Sequence, residues 1–176
     1  MIRIQDYIKC YDDIMDPKVC RKIIKEDKTD FDRATVKGEI VNDYRKCYFK
    51  KVEKKFESDI YPGIGKILKL YEKDFKYFMT GLTCEDTGYE HLLYKGSEKG
   101  EYKEHIDHFD LHPRVLSCSI ILNENYDGGD FSFFEGEHIV PKKTGSAVVF
   151  PSNFCFPHAV TPVANGDRHA IITWIH

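Results

Sequence analysis

Three observations predict a mainly β fold with flanking helices, of sandwich or jelly-roll type. The chain of 176 residues changes texture near residue 82. Before that point apolar residues recur at three- and four-residue steps, the period of a helix laid on a core. After it, short runs rich in β-branched and aromatic residues alternate with turn signals, a spacing that suits two packed sheets.

The first element is a helix from Lys18 to Lys28. Asp16 supplies its N-cap, and Pro17 sits where its missing N–H has no helical partner to lose. Val19, Ile23 and Ile24 share one face. Arg45 to Val52 reads as a strand. A longer amphipathic helix is expected from Ile60 to Phe78, with Ile60, Ile64, Ile67, Tyr71, Phe75 and Phe78 on its buried stripe. Pro62, Gly63 and Gly65 weaken the first turn of that helix. Strands then follow over Tyr89–Tyr94, Tyr102–Asp107, Val115–Leu122, Asp130–Phe134, Ala147–Phe150, Ala159–Val163 and His169–Ile175. Gly128-Gly129 within Asn125 to Asp130 reads as a hairpin turn, and Lys143-Thr144-Gly145 as another. No internal repeat or linker divides the chain. The expected organisation is one domain over residues 1–176, with 1–81 a helical support region and 82–176 the jelly-roll core.

Bulk composition excludes several classes. Hydrophobic content of 41% with 31% charged residues is that of a soluble globular protein, large enough to bury a core. No apolar run reaches membrane-spanning length, and Met1 to Cys10 lacks a signal-peptide core, so a cytoplasmic location is expected. Six scattered cysteines without a C-x-x-C pair argue against a disulfide framework and a zinc knuckle. A net charge of −3 gives no global field for nucleic acid. Residues 1–80 carry 19 Lys/Arg against 15 Asp/Glu, leaving 7 against 14 for the rest. Solvated helix faces over an acidic strand-rich half are the bland reading of that asymmetry, and a basic patch that steers an acidic partner is the alternative.

The chemistry concentrates in His105-Ile106-Asp107 and His158. On a strand, positions i and i+2 project to one face, so an imidazole and a carboxylate can grip one ion together. A third ligand from a strand distant in sequence completes two histidines and a carboxylate, the facial triad of non-haem iron oxygenases. An isolated H-x-D is commonplace, and a rival pair, His108 and Asp110, lies on the opposite parity. Arg168, ten residues after His158, strengthens the first pair. A guanidinium there can bind the far carboxylate of a metal-chelating 2-oxo acid with two parallel hydrogen bonds. The bland alternative for Arg168 is an exposed strand charge, yet the apolar run that follows it ends in Trp174.

With these residues in place, the stretch 89–176 resembles the prolyl 4-hydroxylase branch of the 2-oxoglutarate/iron(II) oxygenases. The similarity runs through Tyr94-Lys95-Gly96, Tyr102 three residues before His105, and Arg114 opening a strand that ends in Leu122-Asn123. It continues through Gly128-Gly129, Gly145 to Phe150, and the closing Thr173-Trp174-Ile175-His176. The resemblance implies a double-stranded β-helix, an eight-stranded jelly roll. It implies iron(II) on His105, Asp107 and His158, 2-oxoglutarate anchored by Arg168, and O2 as co-reactant, with ascorbate as an expected reductant. Tyr94, Ser119 and Trp174 would line the cosubstrate site. Tyr102, Arg114 and His176 match positions associated with peptidyl proline.

The implied reaction couples decarboxylation of 2-oxoglutarate, to succinate and CO2, with C4 hydroxylation of a prolyl residue in a peptide partner. Two departures stand out. Arg168 replaces the lysine usual in collagen-type enzymes, and Ile121 stands where some relatives have tyrosine. The alternatives are the same chemistry on a free amino acid or other small molecule, and a non-catalytic jelly-roll binding module. Trp174 occupies the place of the second arginine of base demethylases, which disfavours a nucleic-acid substrate. Asp107 leaves no site for a halide. The oligomeric state stays open.

Overall fold

The computed structural model describes residues 2–80, 82–108 and 113–176. In chain order its elements are β1 (Lys9–Tyr11), α1 (Pro17–Glu26), β2 (Asp32–Arg33), β3 (Arg45–Lys46), β4 (Tyr48–Lys51), α2 (Glu57–Asp74), β5 (Glu90–Lys95) and β6 (Glu101–His105). They continue with β7 (Leu116–Ile121), β8 (Phe131–Phe133), β9 (His138–Val140), β10 (Ala147–Pro151), β11 (His158–Val160) and β12 (Asp167–Ile175).

Two antiparallel sheets face each other. The larger runs β1-β10-β7-β12-β5-β4-β2, and the smaller β3-β6-β11-β8-β9. The eight strands from β5 to β12 cross repeatedly between the sheets, and the mainly β prediction becomes a double-stranded β-helix. The amino-terminal half does more than brace this core. It extends both sheets, through β1, β2 and β4 in one and β3 in the other.

Both helices form for the reasons the sequence gives. The Asp16 carboxylate accepts from the Lys18 N–H at 2.7 Å, and Pro17 occupies the first turn. Tertiary contacts displace the second helix from its predicted span. It starts at Glu57 and ends at Asp74, while Phe75 and Phe78 lie beyond it and still pack on the core. Pro62 sits inside it despite the lost backbone bond, because Ile60, Ile64, Ile67 and Tyr71 bury their side chains against the sheet. Gly63 has a separate cause: a Cβ there would lie 3.1 Å from the Ile14 carbonyl oxygen. No helix among the described residues is long and apolar enough to cross a membrane.

The two turns read as hairpins are corrected. Gly128-Gly129 lies between β7 and β8, and Lys143-Thr144-Gly145 between β9 and β10, and in each case the flanking strands belong to different sheets. The glycines are needed for close approach instead. A Cβ on Gly128 (φ +62°) would lie 2.2 Å from the Pro162 carbonyl oxygen, and one on Gly145 (φ +83°) 2.2 Å from that of Met15. A hairpin does join β8 to β9, through Phe134, Glu135 and Gly136, all at positive φ.

Alternation along β7 and β12 sorts side chains between the two faces of the larger sheet. Leu116, Cys118, Ile120, Ile171 and Ile175 pack under the helices. Ser119, Arg168, Ile172 and Trp174 point between the sheets, into a cavity of about 630 Å³.

Candidate metal centre

His105 closes β6 and His158 opens β11, and the antiparallel register sets them directly opposite each other. Asp107 arrives from beyond the strand, which corrects the expectation that His105 and Asp107 share one strand face. β6 ends at His105, and the chain then leaves the ladder. The cause is visible across the cavity: Asp107 Oδ2 accepts from Ser117 Oγ at 2.7 Å and from Trp174 Nε1 at 2.9 Å, both on the larger sheet. Ser117 Oγ is also 2.8 Å from Ser152 Oγ.

The three side chains meet through the atoms a metal would need. The Nε2 atoms of His105 and His158 each lie 3.6 Å from Asp107 Oδ1, and the ligand atoms of all three fall within 4.8 Å of one another. Each histidine turns its other nitrogen outward. His105 Nδ1 is 2.9 Å from the Lys103 carbonyl oxygen and His158 Nδ1 3.0 Å from that of Phe156. Donation of Nδ1–H to a carbonyl leaves the Nε2 lone pair facing the cavity, the second-sphere arrangement that orients metal-binding imidazoles. Burial, then His158, pushes His105 down to about 3, so its imidazole is neutral near pH 7. Burial works against the Asp107 charge, but the two histidines and the Trp174 N–H outweigh it and hold the carboxyl below its usual range. A carboxylate and two imidazoles that turn Nε2 inward suit a divalent transition metal. Of the rival pair, His108 is exposed at the rim of the same cavity and is not part of this cluster, and Asp110 lies outside the described residues.

Arg168 lines the same cavity and is 3% exposed, so the surface-charge reading fails. Its guanidinium carbon lies 5.0 Å from the Tyr94 ring centroid and 5.9 Å from that of Phe131. Among the described residues no carboxylate lies within ion-pair distance of it. A buried cation without a protein anion is costly, and a ligand carboxylate would offset that cost.

Tyr94, Ser119, Trp174, Tyr102 and Arg114 also line the cavity. Tyr102 stacks on His105 with ring centroids 3.5 Å apart, and Arg114 lies over Trp174 at 3.5 Å. His176 is not among the lining residues; its N–H donates to the Glu85 carbonyl at 3.2 Å, and its carbonyl accepts from Thr83 Oγ1. Arg45 and Glu90 line the cavity without having been singled out in the sequence. Arg45 lies over Tyr102 at 4.5 Å and donates to the Thr35 carbonyl at 3.0 Å. Burial pushes the Glu90 carboxyl up, against the pull of Arg45 and Arg114. Strand parity would have found Glu90, two positions from Leu92 and four from Tyr94 on β5. Ser117 likewise shares parity with Ser119.

Residues 90–176 match the model of the 2OG-Fe(II) oxygenase superfamily. A PKHD-type hydroxylase of Alteromonas mediterranea is 37% identical over 91 residues, covering 45% of this chain and 39% of that protein, so the match spans about two fifths of the relative's length. Among solved structures, a Pseudomonas putida prolyl-4-hydroxylase superimposes with a TM-score of 0.73 at 22% identity, over 97% of this chain and 92% of that one. A Trichoplax adhaerens prolyl hydroxylase, solved with a hypoxia inducible factor peptide fragment, gives 0.75 at 16% identity, over 96% and 83%. A viral collagen prolyl hydroxylase from Paramecium Bursaria Chlorella virus-1 gives 0.71 at 18% identity, over 96% and 95%. These structural likenesses establish the fold. The sequence match to the 2OG-Fe(II) oxygenase superfamily covers residues 90–176, the stretch that carries the His105–Asp107–His158 cluster.

Proposed function

We propose that the chain is an Fe(II)- and 2-oxoglutarate-dependent dioxygenase that hydroxylates a peptidyl proline at C4, releasing succinate and CO2. The observation that carries the chemistry is the convergence on one cavity of three side chains that could hold a metal and a buried arginine with no ion pair among the described residues. Residues 1–176 act in this reading as one oxygenase domain, with residues 1–81 supporting the core.

The bound iron would supply the oxygen chemistry, with ascorbate as the reductant that returns it to service after uncoupled turnover. His105, Asp107 and His158 would hold the metal, and Arg168 the far carboxylate of 2-oxoglutarate beside Tyr94. Ser119 and Trp174 form the wall between these two ends, and Trp174 also fixes the Asp107 carboxylate. Tyr102 and Arg114 lie on the metal side, placed to meet substrate. The prolyl assignment draws support from these two residues and from the prolyl hydroxylases that share the fold. Proline-rich peptides are preorganised as polyproline II, so little ordering entropy opposes their docking on aromatic side chains.

A second reading, the same chemistry on a free amino acid, is favoured by Arg45 and Arg114, two cations in the cavity wall that suit a substrate carboxylate. The deciding experiment offers poly-proline peptides, proline-alanine-serine peptides and free amino acids, and compares succinate release with the substrate-free rate. Peptide stimulation with a 16 Da gain on proline is the expected result. Stimulation by free amino acids alone selects the second reading. Absence of 2-oxoglutarate turnover with every substrate removes both.

A further inference from the structure

Behind the cavity, on the other face of the larger sheet, four polar side chains meet. Asp27 caps the C-terminus of α1 and is fully buried. Its Oδ1 lies 2.8 Å from Lys50 Nζ on β4, and its Oδ2 lies 2.9 Å from Nδ1 of the fully buried His91 on β5. His91 Nε2 in turn lies 2.9 Å from His169 Nδ1 on β12. The Phe31 ring closes the cluster edge-on, 4.9 Å from the His91 ring.

Such a cluster is poorly explained by stability, since apolar packing of similar volume would serve as well or better. Its geometry is tied to strand register instead. β5 and β12 pair with Arg168 opposite Tyr94, His169 opposite Leu93 and Ile171 opposite His91. His91 and His169 are therefore diagonal neighbours on the back face, while Arg168 and Tyr94 are direct neighbours on the cavity face. A one-residue slip would exchange the faces. A slip of two would carry His169 about 7 Å along the strand and separate the imidazoles. The contact between the histidines exists only in the register that sets Arg168 against Tyr94.

The protons are consistent with a fixed link. Asp27 accepts from the Lys50 ammonium and from His91 Nδ1–H, leaving one proton to be shared between His91 Nε2 and His169 Nδ1. Burial, then His91 and Arg168, hold His169 down to about 3, so it stays neutral near pH 7.

We propose that His91 and His169, anchored by Asp27, are positioning residues that aim Arg168 and thereby set the affinity for 2-oxoglutarate from the far side of the sheet. The proposal rests on the reading of Arg168 as the cosubstrate anchor. A carboxylate held by a guanidinium fork is sensitive to small displacements, and misplacement by about 1 Å can cost up to about 100-fold.

The test is equilibrium dialysis of labelled 2-oxoglutarate against Fe(II)-loaded protein under nitrogen, with kcat, KM and thermal melting measured alongside. His169→Leu is expected to weaken 2-oxoglutarate binding about tenfold, with a smaller effect on kcat at saturation. His169→Asn, whose amide N–H can replace the Nδ1–H donor to His91, is expected to recover binding to within about threefold. Unchanged affinity in a folded His169→Leu protein overturns the proposal, as does equal loss in the Leu and Asn variants. Should His169→Leu fail to fold, His91→Gln is judged by the same affinity criterion. If wild-type protein binds no 2-oxoglutarate, the cosubstrate reading itself falls; normal wild-type binding with indifferent variants removes only the positioning role.

Discussion

Asp107 is the side chain on which both sheets act. Its Oδ1 faces the two imidazoles while Oδ2 is held by Ser117 and Trp174, so the carboxylate is fixed before any metal arrives. That preorganisation makes the ligands individually indispensable. His105→Ala or Asp107→Ala is expected to abolish Fe(II) binding in titration calorimetry and turnover with it, whereas His108→Ala keeps most of both. Equal losses in all three variants would reject the assignment. Arg168 answers to a different readout. Removing a buried charge-assisted pair costs about 2–5 kcal/mol, on the order of 30- to 1000-fold in affinity. Arg168→Ala should raise the 2-oxoglutarate requirement by that order and spare iron binding. Arg168→Lys should do so less, since the charge remains while the fork is lost. An unchanged cosubstrate dependence would exclude Arg168 as the anchor.

At the scale of elements, β12 is shared by the site and the helix-facing core. Arg168, Ile172 and Trp174 line the cavity, and Ile171 and Ile175 pack under the helices. Thr173 is buried on this strand, and among the described residues its Oγ1 is the buried side-chain polar atom that lacks a hydrogen-bond partner. An unmet buried hydroxyl costs about 1–3 kcal/mol, and an apolar replacement of the same shape avoids that cost. Thr173→Val is therefore expected to raise Tm by about 2–4 °C, the shift that roughly 1 kcal/mol produces in a chain of this size. A fall in Tm on calorimetry would mean that the hydroxyl is bonded after all. Gly145, in the crossover between the sheets, has no such freedom: its positive φ and the Met15 carbonyl leave no room for a side chain.

The molecule as a whole carries buried ionisable groups on both faces of one sheet, and two histidines and two aspartates among them push stability the same way with pH. His169 and His105 are each lowered to about 3 from an ordinary value of 6.5. Unfolded chains take up those protons as pH falls through 6.5, while the folded metal-free protein resists them until about 3, so stability is lost across that window. Asp27 and Asp107 act lower. Burial opposes the charge of both, yet His91 and Lys50 hold Asp27 below 3.8, as the histidines hold Asp107, and this contribution is lost as pH falls below about 4. The Tm of metal-free protein is expected to fall continuously from pH 7 to pH 3, with His169→Asn flattening the upper part of the slope. A Tm that does not move between pH 7 and pH 5 would show that these histidines are not held neutral.

Local chemistry determined much of this in advance. The Asp16 cap with Pro17, the three- and four-residue steps of Ile60 to Tyr71, and the short strands after residue 89 need only neighbours a few positions away, and each formed close to where its pattern lies. The candidate metal ligands were also legible, because their chemistry and order single them out without a partner being known. Pairing was not legible. Periodicity tells which face a residue occupies but not which strand lies alongside. Two glycine turns read as hairpins therefore became crossings between sheets, and Asp107 left its strand to reach Ser117 and Trp174, 10 and 67 residues away. Arg45 and Glu90 became cavity residues only when β3 and β5 were brought together, and Asp27 found His91 at a separation of 64 residues. The sequence by itself determined most of the elements and the identity of the candidate metal-binding side chains. The tertiary structure alone decided what lies across from each of them, because contacts between distant residues are selected by the packing of the whole core and not by any local pattern.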